Sequence, residues 1–272
     1  MPATVIIPAR FASKRFPGKP LAPLLGKPMI QHVYQQALEA KMTSEVWVAT
    51  DDSRIAEVVR DFGGRVILTS TQHNSGTDRV FEAAQNLESD LVLNLQGDEP
   101  LIVPEQLDQV IKALEEDPKA DIATLRVATR DLDEILSPNC VKVVVDHHQY
   151  ALYFSRAPIP FYRVYWDSKA PETEWPDTWG TAWIHIGLYG FRRAAIDMIS
   201  SFSASPWEEA EQLEQLRFLY WGCKIRVVET NHKTFGVDIP EDLRRAEQAL
   251  IDGMAGDGHL TSSARGLIQE EQ

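Results

Sequence analysis

A chain of 272 residues, 44% hydrophobic and 25% charged, has room for one large α/β domain or two small ones. It is too balanced in composition for a disordered or collagen-like polymer. Its 27 basic and 40 acidic residues leave a net charge of −13, which argues against general nucleic-acid binding and against docking on an anionic membrane.

Two cysteines, Cys140 and Cys223, are too few for a disulfide framework or a thiolate metal site and point to a reducing compartment. The N-terminal apolar run is too short for a signal peptide, and no stretch reaches the ~18 apolar residues of a membrane span. A cytoplasmic protein without membrane insertion is expected. The charge is unevenly spread. Residues 1–38 contain no Asp or Glu but carry Arg10, Lys14, Arg15, Lys19 and Lys27, so the remainder holds a net −18. A cationic island in an acidic protein either faces an anion or forms a solvated basic surface.

In chain order, Thr4–Ile7 reads as a strand ending at Pro8-Ala9-Arg10. The period of Met29, Ile30, Val33, Tyr34, Ala37 and Leu38 predicts a helix over Pro28–Ala40. Val46–Ala49 is a second strand. Asp52 or Ser53 caps a helix through Phe62, which Gly63-Gly64 stops. Val66–Leu68, a helix over Thr77–Leu87, the strand Leu91–Leu95 and a helix from Pro104 to about Glu116 follow. This alternation predicts a parallel sheet with helices on both faces, and ligands on such sheets bind beyond the carboxyl ends of the strands.

The second half is less regular. Ile122–Val127, Val141–Val145, Ala151–Phe154 and Ile184–Phe191 read as strands, and Pro206 with Glu208 opens one long helix to about Trp221. Residues 158–183, with four prolines and with Trp166, Trp175, Trp179 and Trp183, read as a long loop or flap. One domain over 1–250, with an insertion at about 130–221, and a frayed tail over 251–272 are expected.

Three segments carry chemistry. The loop Arg10-Phe-Ala-Ser-Lys-Arg-Phe-Pro-Gly-Lys-Pro places Arg10, Arg15 and Lys19 where they can converge on phosphate oxygens, or else forms a surface turn. It lacks the P-loop spacing, and the chain has no dinucleotide fingerprint. Gln96-Gly97-Asp98-Glu99-Pro100 follows a buried strand, where Asp98 either holds Mg²⁺ against a substrate phosphate or caps the next helix. Asp238, before Ile-Pro-Glu, has the same two readings. Together, cations, two metal carboxylates and an open sheet suggest nucleotidyl or phosphoryl transfer.

Other residues are more ambiguous. His73, Ser75, Gly76, Thr77 and Arg79 form the start of a helix that could meet an anion or a base edge, with Ser75 or Thr77 as an ordinary cap. His185, between Ile184 and Ile186, reads first as a structural strand histidine. His147 and His148 read as solvated. Glu214, Gln215 and Arg217 lie on an amphipathic helix.

The chain resembles the bacterial CMP-Kdo synthetases, the 3-deoxy-manno-octulosonate cytidylyltransferases. The matching runs are Ile6-Ile7-Pro8-Ala9-Arg10, Arg15-Phe16-Pro17-Gly18-Lys19-Pro20-Leu21, His73-Asn74-Ser75-Gly76-Thr77-Asp78-Arg79 and Gln96-Gly97-Asp98-Glu99-Pro100. Ala151–Arg156, His185–Gly190, Leu213–Arg217 and Val237–Asp242 continue the set, in order, across about residues 2–250.

The resemblance implies an α/β, Rossmann-like nucleotidyltransferase fold, with a mostly parallel sheet flanked by helices and a dimerisation element in the second half, and a homodimer. It implies that CTP and Kdo, a 3-deoxy-2-keto sugar acid, give the CMP-sugar and pyrophosphate with Mg²⁺, for lipopolysaccharide core synthesis. By position, Arg10, Arg15 and Lys19 hold the triphosphate, and Ala9, Ser75, Gly76 and Arg79 shape the cytidine pocket. Asp98 and Asp238 bind Mg²⁺; with Arg10 and Lys19 they are the expected catalytic set. Gln96, Arg156, His185, Tyr189, Glu214 and Gln215 line the sugar site.

Two features depart from the family pattern: Ile184 stands where a basic residue is usual, and residues 162–183 are longer and richer in Trp. Both fall near the sugar half, which raises 8-amino-3,8-dideoxy-octulosonate as an alternative substrate. The rival classes are a glycosyltransferase that consumes an activated sugar and a non-catalytic CTP-binding regulatory protein.

Overall fold

The computed structural model describes residues 2–256 apart from 14, 74, 162 and 164–180. The first half runs β1 (Ala3–Ala9), a 3-10 turn (Lys19–Leu21), β2 (Pro23–Leu24), β3 (Lys27–Pro28), α1 (Met29–Glu39), β4 (Thr43–Thr50), α2 (Ser53–Asp61) and β5 (Val66–Leu68). It continues through α3 (Gly76–Ala84), β6 (Leu91–Asn94), α4 (Pro104–Glu116) and β7 (Ile122–Thr129). The second half adds α5 (Leu132–Leu136), β8 (Lys142–Val145), β9 (Ala151–Ser155), β10 (Ala182–Arg192) and α6 (Arg193–Ile199). It closes with α7 (Pro206–Glu211), α8 (Gln215–Tyr220), β11 (Ile225–Thr230) and α9 (Pro240–Gly256).

The main sheet has the order β11-β7-β10-β6-β1-β4-β5. β1 lies parallel to β4 and β6, β4 to β5, and β11 to β7, whereas β10 runs antiparallel to both β6 and β7. The expected mostly parallel sheet is therefore present, with one reversed strand at its centre. β1 is buried along its whole length, as a strand covered on both faces must be. Its alternate residues face two apolar clusters. Val5 and Ile7 join α1, α2 and α4 on one face, and Ile6 joins α3, α6 and α8 on the other. Burial follows the predicted stripe of α1 except at Leu38, which is 57% exposed.

Chain order reverses direction between β1 and β6: β4 and β5 lie to one side of β1, and β6 lies to the other. The crevice beyond the carboxyl ends of these two strands is the switch point where open α/β sheets take ligands. Arg10 and Gln96–Asp98 begin there.

The second half departs from the sequence reading in three places. Residues 206–221 form two helices, because Gln212 takes a left-handed conformation (φ 53°) that ends α7 and turns the chain before α8. A capping box between Ser205 and Glu208 starts the first of them. Ile225–Thr230, not singled out as a strand, pairs in parallel with β7 and supplies an edge of the main sheet. Helix α9 continues to Gly256, beyond the expected boundary at 250. Most of the predicted flap and the rest of the tail lie outside the described residues, as do Trp166, Trp175 and Trp179.

Candidate active site

A cleft of about 560 Å³ opens at the switch point. Ala9, Arg10, Arg15, Lys19, Ser75, Gly76, Arg79, Gln96, Asp98 and Asp238, all expected from the sequence, line it together. The basic loop reaches it by folding back on Phe11, whose carbonyl accepts from the Ser13 and Gly18 amides at 3.0 and 2.9 Å. Gly18 has a φ of 73°, a conformation that favours glycine. The Arg54 guanidinium covers the Phe11 ring at 3.3 Å from its centroid. This fixes the loop so that Lys19, at the start of the 3-10 turn, points inward.

The acidic turn is built by close backbone approach. A Cβ on Gly97 would lie 2.9 Å from the Pro8 carbonyl oxygen and 3.1 Å from Ile30 Cδ1, so only glycine fits without displacement. The Asp98 carbonyl accepts from the Val237 amide at 2.8 Å, which brings a segment 139 residues further along the chain beside the turn. The Lys19 ammonium contacts the Asp98 carboxylate and lies 3.3 Å from Asp238 Oδ1, and Arg15 Nη2 is 3.1 Å from Asp238 Oδ2. The helix-cap reading of Asp238 does not hold. Asp242 accepts from the Asp238 and Ile239 amides at 3.0 and 3.2 Å, leaving the Asp238 side chain to the cleft.

Ser75 is the cap of α3, accepting from the Asp78 amide at 3.1 Å. Arg79, 3% exposed, is held by Asp51 Oδ2 at 3.0 Å and by the Thr69 hydroxyl. Two further cleft features escaped the sequence reading of site residues. Imidazole Nε2 of His73 rests on the Glu82 carboxylate, which in turn accepts from the Ser70 amide at 2.9 Å. Behind Asp98, Glu99 buries Oε2 without a partner among the described residues. Burial, then the neighbouring Asp98 charge, push its pKa up to about 8. The adjacent acids of Gln-Gly-Asp-Glu were its only sequence signal.

Arg156, His185, Tyr189, Glu214 and Gln215 stand apart from the cleft wall, in the second half. Tyr189 pairs across the sheet with Asn94, the last residue of β6. Its hydroxyl is buried without a partner, and burial followed by the Glu214 charge raises its pKa, so it stays a neutral hydroxyl. Between Ile186 and Tyr189 the β10 register shifts, and the Thr124 hydroxyl holds this bulge, lying 2.8 Å from the Leu188 carbonyl oxygen and 3.0 Å from His185 Nε2. Desolvation pushes the His185 pKa down to about 3, so the ring is neutral and polar. Glu214 sits at the N-cap of α8, and burial raises its pKa while a hydrogen bond from Thr77 opposes the rise.

Arg156 is tied to the α7–α8 junction. Its guanidinium donates to the carbonyls of Glu211, Pro138 and Gln212 at 2.7, 2.8 and 3.2 Å. The buried Lys142 ammonium donates to the Arg156 carbonyl at 2.6 Å and to two further carbonyls, and burial lowers its pKa. Ile184 packs against the apolar cluster that contains α4, whereas His185 stacks edge-on against Phe154 of the opposite cluster. The departure from the family pattern therefore faces away from the His185 side of β10. Cys140 and Cys223 are free thiols, and neither lines the cleft.

A family model described as cytidylyltransferase matches residues 4–225. The 3-deoxy-manno-octulosonate cytidylyltransferase of Geobacter sulfurreducens is 50% identical over 250 residues, covering 92% of this chain and 100% of that protein. The enzyme of the same name from Geotalea uraniireducens is 48% identical over 92% of this chain and 99% of its own length. Among solved structures, a CMP:2-keto-3-deoxy-manno-octonic acid synthetase complexed with CTP superposes with a TM-score of 0.84 at 42% identity, over 93% of this chain and all of that one. A cytidylyltransferase from Leptospira borgpetersenii serovar Hardjo-bovis, with a TM-score of 0.60 at 16% identity, over 99% of this chain and 93% of that one, shares the fold.

Proposed function

The chain belongs to the cytidylyltransferase family, and from that premise we propose that it transfers CMP from CTP to Kdo, releasing pyrophosphate, for lipopolysaccharide core synthesis. The observation that carries this reading is the convergence of Arg15, Lys19, Asp98 and Asp238 from three distant segments onto one cleft.

In the reaction, the anomeric hydroxyl of the sugar attacks the α-phosphorus. A bond forms from that oxygen to phosphorus, the bond from phosphorus to the bridging oxygen breaks, and pyrophosphate leaves with its electron pair while the hydroxyl proton is lost. Arg10, Arg15 and Lys19 neutralise the triphosphate and the charge growing on the leaving group. Ala9, Ser75, Gly76 and Arg79 form the cytidine pocket, where the N-terminus of α3 offers backbone donors. Gln96, Arg156, His185, Tyr189, Glu214 and Gln215 orient the sugar. Most of the rate then comes from positioning two substrates in line. No enzyme nucleophile is needed, and the cysteines are bystanders.

The donor set fits a divalent ion. Asp98 and Asp238 present hard oxygen ligands to one point, already shared by the Lys19 ammonium, and Mg²⁺ is commonly held by one or two carboxylates together with substrate phosphates. Asp98 and Asp238 would hold Mg²⁺, which supplies charge neutralisation at the phosphates and acidifies a bound hydroxyl.

Kdo is the favoured acceptor over its 8-amino analogue, because Ile184 packs into the core and gives no reason to shift the sugar. A homodimer is supported by β9, which has a paired strand on one side only, and by the 60% exposure of Leu152 on it. No helix among the described residues is long and apolar enough to cross a membrane, and the two free thiols suit the cytoplasm. The test is phosphorus NMR of a mixture of the chain, CTP, Mg²⁺ and Kdo. A new phosphodiester resonance with equimolar pyrophosphate is the expected result. CTP that stays intact under conditions where it binds the chain rejects the reading.

A further inference from the structure

Thr77 has no assigned part in the cytidine pocket, and the structure frees it from the role a helix-start threonine usually plays. Ser75 caps α3, so the Thr77 hydroxyl is not spent on the helix terminus. It accepts instead from Asn94 Nδ2 at 3.3 Å, and it donates to the Glu214 carboxylate. Asn94 in turn accepts from Gln96 Nε2 at 2.8 Å. The donors therefore all run one way: Gln96 amide to Asn94, Asn94 amide to Thr77, Thr77 hydroxyl to the Glu214 carboxylate. A chain of this kind strengthens each link and ends on the group that gains most from a donor.

The two ends of the chain lie at different places. Gln96 is on the cleft wall and its Oε1 would lie 3.1 Å from a Cβ on Gly76, so it rests against the first residue of α3. Glu214 is at the start of α8, with the negative charges of Asp78 and Glu208 nearby and Arg217 as the compensating cation. A buried carboxylate in such company has several orientations of similar energy unless a donor selects one. Asn94 is 1% exposed, so loss of the Thr77 acceptor would also strand its amide.

We propose that Thr77 is a positioning residue that aims Glu214 at the sugar and joins the sugar half of the site to the helix that meets the nucleotide. This rests on the sugar-site reading of Glu214 given above. The consequence is a selective defect: removing the hydroxyl weakens sugar binding while the capped helix and the nucleotide half stay in place.

The experiment measures pyrophosphate release with CTP and Kdo varied separately, in wild type and in Thr77→Val, Thr77→Ala, Thr77→Ser and Glu214→Gln, with melting curves for each. The expected result is a rise of about tenfold in KM for the sugar in Thr77→Val and Thr77→Ala, the size of one lost hydrogen bond to a charged group. KM for CTP stays within about twofold, again judged against the tenfold step of one such bond, and Thr77→Ser restores the wild-type value. An equal rise in both KM values, or failure of Thr77→Ser to restore the sugar KM, would show a structural role and overturn the proposal. An unchanged sugar KM in Thr77→Val beside a raised one in Glu214→Gln overturns the proposal but leaves the sugar site standing. An unchanged sugar KM in Glu214→Gln removes both.

Discussion

The cleft and the cluster behind it recognise their ligands with different materials. In the cleft, formal charges do the work: Arg15 and Lys19 meet Asp98 and Asp238 at the ends of strands, in a site open to solvent on one side. In the cluster, Tyr189, His185 and Gln215 are held neutral by burial or by their chemistry, and Glu214 is a carboxylate whose ionisation burial resists. A triphosphate with its metal presents a dense charge that only charge can balance. A polyhydroxylated acid is distinguished by the placement of hydroxyls, and neutral donors and acceptors in a low-dielectric setting discriminate those by leaving a wrong ligand's partners unpaired. The parallel half of the sheet supplies the first kind of site, and the reversed strand β10 supplies the second.

The comparison breaks most readily at the carboxylates. Asp98→Asn and Asp238→Asn should each lower kcat about a hundredfold to a thousandfold, as expected for loss of a preorganised electrostatic group. Their circular dichroism should match wild type, and the double variant should fall short of the product of the two effects because both act on one centre. Activity near wild type in either would remove that residue from the charged half.

A smaller effect is expected where the cleft depends on close approach rather than charge. Gly97→Ala forces its Cβ to 2.9 Å from the Pro8 carbonyl. Urea unfolding should show a loss of about 1–3 kcal/mol, the usual range for overpacking. A variant of wild-type stability would mean that the turn can move away from β1.

The neutral half has a pH signature. The His185 pKa lies at about 3 in the folded chain against 6.5 in the unfolded one. Between these values the unfolded chain binds the proton and the folded chain does not, so stability rises with pH across this window and is lost as pH falls from 6.5 toward 3. Thermal melts of wild type and His185→Gln at pH 7, 6, 5 and 4 should diverge in slope, with the variant flatter. Parallel slopes would show that His185 accepts a proton in place. At the bottom of the scale, Cys140→Ser should leave pyrophosphate release unchanged, because the Cys140 thiol does not line the cleft.

The charged half was legible in the sequence because its parts are local. The Arg10–Lys19 loop and the Gln-Gly-Asp-Glu turn carry their chemistry in contiguous residues that follow strands with clear apolar runs. What those motifs left open was settled by partners far away: Asp238 could have been a helix cap, and it is Asp242 that frees it. The neutral half was less legible because its logic is tertiary. His185 looks like any strand histidine until Thr124 is placed beside it, and Thr77 looks like an alternative cap until Asn94 and Glu214 arrive. The break between α7 and α8 had no local signal, since the left-handed residue there is Gln212 and no glycine marks the turn. The resemblance supplied the sugar residues by position, and their burial and polar partners supply a physical reason for them.

The measurement that tests the account most directly is steady-state pyrophosphate release by the purified chain with CTP and Mg²⁺, with and without Kdo. The account predicts release that saturates with Kdo, matches the CMP-sugar formed mole for mole and stops when the metal is chelated. Release independent of Kdo, or none with it while CTP still binds, would contradict the assignment of the buried neutral cluster to the sugar.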